Sequence, residues 1–520
     1  MFVSTKTDCS LIFFNFFSRR NPILLYNRRF YHLRRAKGIT INSHYIKYNC
    51  PHNSYPPRKI LGILTIPLIC SISPLFIKVW SLETISQSDM MHMIGFLVGL
   101  YCLLLLLGTL IPKLKLRQVY YTIVMTCLML PAISFWFYYG ISGTTIHPDT
   151  LMTIFQTNLA ESKSYLKDNI TPSAILFSII PLSVIPLIYH VSSFLPSFQI
   201  QTLHNKKTIF LLLIFCYGLS WMISHNKNNM YQELYKETQE YLHQYNTFAE
   251  NKKKREHNII SSFNISQSTA PGVYFLIIGE SQNRLHMNTY GYERDTTPWL
   301  TQQLNNPNFI IYNNAYSCHT HTVPVLTYAL TAKNQYNKIK LENAVSLIEV
   351  AKAANFKTVW LSNQVQYGAW DTPTTIIASE ADEQHWINKN VGETTKTNFY
   401  DEQLIHSLAK VHPTDKMLII IHLMGNHGSY EDRYPSSYNI YHGKGKNIDH
   451  YDNSIRYNDY VVSELYETAK SFPNYKAFIY FSDHTDAVDQ NLAHDSSNFV
   501  YPMTYIPFYM AFSKNYQQEY

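Results

Sequence analysis

Five apolar runs crowded between residues 60 and 224 constrain this chain more than any other feature of its 520 residues. They cover 60–80, 91–112, 119–141, 173–195 and 208–224, with almost no charge inside them. A bilayer core takes roughly 20 apolar residues of helix to cross. A helix on a water-soluble core keeps one polar face, and these runs keep none. The sequence therefore predicts five transmembrane helices.

The placement of Lys and Arg sets the orientation. Residues 1–59 carry eleven of them, from Lys6 to Lys59, against one acid, Asp8. The loop after the second run holds Lys113, Lys115 and Arg117, and the loop after the fourth holds Lys206 and Lys207. Positively charged loops stay in the cytoplasm, so five crossings put everything beyond 224 outside. Much of the formal charge of +7 belongs to this membrane topology and is no sign of nucleic-acid binding. Residues 1–59 read as a basic cytoplasmic leader without predicted structure, or as an upstream extension from a misplaced start. Residues 60–224 read as a five-helix membrane domain with an outward loop at 142–172. Residues 225–271 read as a bridging helix and linker, and 272–520 as the outer domain. Of seven cysteines only Cys318 falls in that outer domain, so no disulfide within it is available and its core alone must hold it.

Within 230–248, apolar or aromatic residues recur at 231, 234, 235, 241, 242, 245 and 248. The spacing predicts an amphipathic helix, lying in the headgroup region or packed on the outer domain. The basic run 252–255 and the polar stretch 261–267 read as a linker. From residue 272 the pattern alternates strand and helix. Strand-like runs occupy 274–278, 309–312, 358–361, 417–422, 477–481 and 507–512, with helical spacing at Leu347, Ile348, Ala351 and Ala354 and again at Ile455, Val462, Leu465 and Ala469. Alternation of this kind predicts an α/β domain with a mostly parallel central sheet.

In such folds ligands gather beyond the carboxyl ends of the strands. The run 274–278 breaks into Gly279-Glu280-Ser281, and 477–481 breaks into Ser482-Asp483-His484-Thr485. Two carboxylates and an imidazole suit Zn²⁺, leaving a fourth position for a hydroxyl or a substrate oxygen. Thr320, in Ser317-Cys318-His319-Thr320-His321-Thr322-Val323-Pro324, is the hydroxyl expected there, with Thr322 its nearest rival and Ser281 a more distant one. A metal-bound threonine hydroxyl becomes a usable nucleophile toward phosphorus. His427, in Met424-Gly425-Asn426-His427-Gly428, and His494 fit the same pocket, as contacts to a transferred phosphate, acid–base groups or ligands of a second metal. His422, inside a strand, reads as core; His319 and His321 flank the threonine without an assigned role.

These blocks resemble the bacterial phosphoethanolamine transferases, membrane members of the alkaline phosphatase/sulfatase superfamily. Ile278-Gly279-Glu280-Ser281-Gln282-Asn283-Arg284, Tyr290-Gly291-Tyr292 and Arg294-Asp295-Thr296-Thr297-Pro298 look like the family's opening motif. Ser317-Cys318-His319-Thr320 is similar to its Ser-Cys-Gly-Thr nucleophile motif. Gly425-Asn426-His427-Gly428, Arg433-Tyr434-Pro435, Tyr451-Asp452-Asn453-Ser454 and Ser482-Asp483-His484 match later blocks in order. The resemblance implies an enzyme of the inner membrane with a periplasmic catalytic domain, acting as a monomer. It implies Zn²⁺ on Glu280, Thr320, Asp483 and His484, and a covalent phospho-threonine at Thr320. The donor would be phosphatidylethanolamine, and the acceptor lipid A or lipopolysaccharide core. His427 and His494 would contact the transferred group or a second zinc, and Thr157 and Glu161 the lipid donor.

The chain departs from the family at His319, usually Gly, at Thr485-Asp486, usually Gly-Glu, and at Thr153, usually Asn. Its disulfide-free domain resembles the branch acting on core heptose more than the disulfide-rich lipid A branch. Glycerophosphate transferases of the lipoteichoic-acid-synthase type share the architecture; the block 294–298 favours phosphoethanolamine. No Cys-x-Pro-x-Arg motif occurs, which argues against a sulfatase. The complete ligand set argues against an inactive membrane scaffold.

Overall fold

The computed structural model describes residues 57–80, 87–147, 150–151, 154, 162–163, 166, 170–195, 216, 230–262, 270–364, 373–388 and 399–519. Among these, three helical segments are long and apolar enough to cross a membrane: Met90–Thr109, Leu114–Ser142 and Pro172–Phe194. The first predicted span is broken instead, into the helices Pro57–Ile72 and Pro74–Trp80. Pro74 has no N–H to give to the carbonyl of Cys70, which takes the Ser73 hydroxyl at 2.6 Å instead. The fifth predicted span, 208–224, lies outside the described residues apart from Cys216, as do Thr153, Thr157 and Glu161.

Small residues bring the membrane helices together. A Cβ on Gly140 would lie 2.5 Å from the Cα of Ala174, so only glycine lets helix Leu114–Ser142 meet the helix starting at Pro172 at this distance. Thr171 fastens the same joint. Its hydroxyl donates to the Gly140 carbonyl at 2.5 Å and accepts from the Ala174 N–H at 3.1 Å.

The outer half is built on a seven-stranded sheet: β1 Gly272–Gly279, β2 Phe309–Tyr312, β3 Lys357–Ser362, β4 Glu383–Trp386, β5 Lys416–His422, β6 Tyr475–Ser482 and β7 Phe508–Phe512. Their order is β2-β7-β6-β1-β5-β3-β4. The β6-β1-β5-β3-β4 stretch is parallel, and β7 and β2 are added antiparallel at one edge. A parallel sheet is covered on both faces, and strict alternation along each strand serves both. Val273, Phe275 and Ile277 enter one core beneath helix Lys446–Lys470, with Met417, Ile419 and Ile421 of β5. Ile278, Trp360 and Ile420 enter the other, against Leu326 of helix Thr322–Leu330 and Ile348 of helix Leu347–Ala353. β4 was absent from the strand-like runs because its residues Glu383, Gln384 and His385 are polar and sit at the sheet edge.

The amphipathic helix runs from Met230 to Glu250 and serves both halves. Near its start Tyr231 and Leu234 pack with the membrane helices, and Tyr231 donates to the Ser71 carbonyl at 3.2 Å. Near its end Phe248 is buried in the core of the α/β domain. The expected linker at 252–255 is helical instead, within Lys252–Ser262. Arg255 is fully buried there, with its Nε 3.1 Å from both oxygens of Glu349 and a terminal nitrogen 2.7 Å from Glu380. A buried guanidinium needs such partners, and they convert a basic run into a docked helix.

Candidate metal centre

β1 and β6 are parallel neighbours, with Gly279 paired to Ser482. The next residue of each strand, Glu280 and Asp483, therefore leaves the sheet at the same height, with His484 following. Ligand atoms of Glu280, Asp483 and His484 all lie within 4.8 Å of one another, and all three residues are buried. His484 Nε2 stands 3.2 Å from Glu280 Oε1 and 3.4 Å from Asp483 Oδ2. β5 contributes the floor. Its Ile278–His422 pairing leads into a turn whose Asn426 N–H donates to the Glu280 carbonyl at 2.8 Å. Gly425 in that turn has φ +52°, and a Cβ there would lie 2.8 Å from both the backbone N and O of Glu280. Only glycine fits.

The hydroxyl that joins this cluster belongs to Thr322. Its Oγ1 donates to Glu280 Oε2 at 3.2 Å and lies 3.2 Å from His484 Nε2. Thr320, the expected ligand, is buried with its hydroxyl making no hydrogen bond. The reason is local. Thr322 is the first residue of helix Thr322–Leu330, which packs against the sheet and aims its opening turn at the strand ends. Thr320 lies two residues earlier in the incoming loop and lines a cleft of about 750 Å³ with Tyr316, Ser496, Phe499, Tyr501 and Tyr505. Ser281, the remaining candidate, donates its hydroxyl to Glu280 Oε1 at 2.8 Å and holds φ +56°. It braces a ligand, and its strained backbone is pinned by its N–H on Asp483 Oδ1 at 3.2 Å and by the Tyr451 hydroxyl on its carbonyl at 2.5 Å.

The electrostatics ask for a cation. Among the described residues neither Glu280 nor Asp483 pairs with a Lys or Arg. Asp483 Oδ2 is buried without a hydrogen-bond partner, a costly state for a carboxylate. Burial, and then the neighbouring Glu280 charge, push Asp483 up to about 8. Burial also opposes ionisation of Glu280, yet His484 first, then His427 and His494, hold its carboxyl well below the usual range. Two acids and an imidazole at this spacing fit a divalent ion, which relieves both the unpartnered oxygen and the crowding of charge.

His494 sits beside the cluster, its ring centroid 4.1 Å from that of His484. Asp486 Oδ1 accepts from the His494 N–H at 2.8 Å and lies 2.7 Å from its Nδ1. Burial alone would lower the His494 pKa, but Asp486 overrides it and raises it. His484, Asp486 and His494 form a second group whose ligand atoms lie within 4.8 Å. His427 is 6.3 Å from His494 between ring centroids, and His321 is 5.7 Å away on another side. His422 is buried against Trp360, with its pKa pushed down to about 4 by burial.

Three supporting residues carry roles that the sequence did not assign. Asp401 accepts the N–H groups of Met424 and Gly425 at 2.9 and 2.8 Å, fixing the turn that leads to His427. Tyr451 donates to the Ser281 carbonyl and accepts the Asn283 N–H at 2.8 Å. Asp486, noted only as a departure, orients His494 and accepts the Tyr430 hydroxyl at 2.6 Å. A lone acid carries no signal of its own, and Tyr451 stood out only as part of a matched block. Asp486, three residues from Asp483, was the one within reach.

A Sulfatase family model matches residues 273–520. Phosphoethanolamine transferase EptC of Escherichia coli K12 is 31% identical over 281 residues, covering 50% of this chain and 48% of that protein. Phosphoethanolamine transferase CptA of Salmonella typhimurium is 30% identical over 244 residues, covering 44% of this chain and 42% of that protein. The chain thus spans about half the length of the curated relatives it matches. The solved structure of the integral membrane protein lipooligosaccharide phosphoethanolamine transferase A from Neisseria meningitidis superposes with a TM-score of 0.56 at 18% identity, over 88% of this chain and 89% of that one. That likeness speaks for the shared fold.

Proposed function

We propose, from the premise that residues 273–520 are a sulfatase-family domain, that this chain transfers phosphoethanolamine from phosphatidylethanolamine to an envelope glycolipid through a phospho-threonine on Thr322. The observation that carries this reading is the contact of the Thr322 hydroxyl with both Glu280 and His484 in a buried three-ligand cluster. The names of the relatives supply the transferred group. The contacts of Thr322, and the absence of any hydrogen bond from the Thr320 hydroxyl, support Thr322 over Thr320 as the nucleophile.

Glu280, Asp483 and His484 would hold one zinc ion, with the Thr322 hydroxyl as the further donor; a second ion suits His484, Asp486 and His494. A divalent ion bound there lowers the pKa of a coordinated hydroxyl and polarises a phosphoryl oxygen. In the first half-reaction Thr322 Oγ1 gives up its proton and bonds to phosphorus, the bond from phosphorus to the diacylglycerol oxygen breaks, and that oxygen takes up the proton. In the second, an acceptor hydroxyl loses its proton and bonds to phosphorus, the bond from phosphorus to Thr322 Oγ1 breaks, and that oxygen regains the proton. His494 suits both proton transfers through Nε2, since Asp486 occupies Nδ1 and favours the charged ring. His427 supplies a second imidazole to the phosphate. The phosphoryl group on Thr322 also rests at the start of helix Thr322–Leu330, where backbone N–H groups favour an anion.

The rest of the reading belongs to the same proposal: five transmembrane helices in the inner membrane, a periplasmic catalytic half, donor contacts at Thr157 and Glu161, and lipid A or lipopolysaccharide core heptose as acceptor. Mass spectrometry tests it twice. Envelope lipids from cells with and without the protein should differ by phosphoethanolamine on one of those acceptors. Protein quenched during turnover should carry the same adduct on the peptide containing Thr322. A glycerophosphate adduct there, or no adduct, would replace this reading.

A further inference from the structure

We infer that the outer end of membrane helix Leu114–Ser142 is built into the catalytic site, with Tyr138 and Thr144 as positioning residues for the loop 494–497. The Tyr138 hydroxyl donates to Asp495 Oδ2 at 3.2 Å and lies 3.2 Å from Ser497 Oγ. Thr144 Oγ1 is 2.7 Å from Ser497 Oγ, and Thr150 donates to the Tyr138 oxygen at 3.5 Å. Asp495 Oδ1 in turn accepts both the N–H and the hydroxyl of Ser497, at 2.9 and 2.6 Å.

The hydrogens of this network have one consistent direction. A carboxylate only accepts, and each hydroxyl has a single hydrogen to give. Ser497 spends its hydrogen on Asp495, so Thr144 must donate to Ser497. Tyr138 also donates to Asp495, and so receives from Thr150. The hydroxyls of Tyr138, Thr144 and Thr150 thus all relay toward the Asp495 carboxylate, an arrangement in which the bonds reinforce one another.

Asp495 is flanked by two residues that touch the site. His494, before it, is bonded to Asp486, and its ring centroid lies 4.1 Å from that of His484. Ser496, after it, lies 3.3 Å from Nε2 of His321, the residue preceding Thr322. The loop is otherwise held by a short turn, Ser496–Asn498, whose first amides Asp495 caps. Loops carrying reactive groups need rigid support, and displacement by about 1 Å can cost on the order of a hundredfold in rate. Docking of the membrane helix thus sets the positions of His494 and His321, and through His321 the approach of Thr322. The transmembrane half acts on the chemistry and is more than an anchor.

The rate arm rests on the proposed phosphoethanolamine transfer; the exchange arm does not. The full chain in lipid nanodiscs is compared as wild type, Tyr138→Phe, Thr144→Val, Asp495→Asn and the Tyr138→Phe/Asp495→Asn double variant. Hydrogen exchange over 494–498 is followed, together with kcat and KM for headgroup transfer from phosphatidylethanolamine. We expect faster exchange in Tyr138→Phe and Thr144→Val, with kcat down about tenfold and KM within about twofold. The double variant should be no slower than the worse single one, because both changes break one network. Unchanged exchange in both hydroxyl variants, a change confined to KM, or losses that multiply in the double variant would each overturn the inference. Should the wild type transfer no headgroup, the proposed function falls, and the exchange rates alone decide the positioning role.

Discussion

The helical half and the sheet half of this chain invert each other's surfaces. In the helices the large apolar residues point outward: Ile123 and Ile179 are each 56% exposed, and Leu176 55%. In the α/β half the outward residues are largely polar, while Glu280, Asp483, His484, Thr485 and Asp486 are buried to within 1%. Each half obeys the solvent around it. Lipid gives no reward for hiding leucine, so the helices meet through small residues such as Gly140 and Ala174. Water does give that reward, so the sheet buries its apolar alternation and tolerates interior acids only where strand ends supply partners or an ion. The proposed phosphoryl transfer needs the second environment, and the proposed lipid donor needs the first. The site sits in the sheet half, at the loop that the helical half touches through Tyr138 and Thr144.

The largest effect expected from this contrast lies at the two threonines. Thr322→Ala should cut transfer of radiolabelled headgroup by about a thousandfold or more, whereas Thr320→Ala should stay within about tenfold of wild type. The opposite ranking would return the nucleophile to the cleft. Next, Glu280→Ala should lose metal and activity together, read by elemental analysis and the same assay, and chelation of the wild type should lower Tm because a bound ion stabilises the folded state. A Glu280→Ala protein that keeps its full complement of zinc would remove Glu280 from the ligand set.

A matched pair tests the inverted surfaces directly. Ile179 and Ile310 are both exposed, at 56% and 43%, one on a membrane helix and one on strand β2. Ile179→Lys should cost ~3 kcal/mol of insertion, seen as loss from the membrane fraction, while Ile310→Lys should shift Tm by the equivalent of less than ~0.5 kcal/mol. Equal tolerance at the two positions would dissolve the contrast.

The smallest effect concerns pH. Burial, then the charge of Glu349, pushes the Glu380 carboxyl up to about 7, despite the Arg255 bond. A folded-state value above the unfolded one means the fold prefers the protonated acid. Its contribution is complete below the unfolded value near 4.5 and is lost as pH rises through about 7. Glu380→Gln should therefore flatten the dependence of Tm across that window. An unchanged slope would mean that Arg255 keeps Glu380 ionised throughout.

Much of this was legible beforehand, for identifiable reasons. Six of the seven strands show as apolar runs because a doubly covered sheet needs them. β4 did not show, being an edge of Glu383, Gln384 and His385. Glu280 and Asp483-His484 stood out because each follows such a run directly. The helical character of 252–262 was hidden because its basic residues read as solvated, whereas Arg255 is partnered by Glu349 and Glu380 from distant segments. The roles of Asp401 and Tyr451 were unreadable for the same reason, since they consist of long-range bonds to backbone groups.

The order of residues alone set an apolar helical half apart from a half that alternates strand and helix, and placed two acids and a histidine directly after strand-like runs. Periodicity and charge are local properties and need no fold to be read. Only the tertiary structure brought the Thr322 hydroxyl, rather than that of Thr320, to Glu280, and tied Tyr138 to Asp495 across 357 positions. Two threonines two positions apart on a loop are equivalent until a helix start and the ends of two central strands fix which hydroxyl meets Glu280.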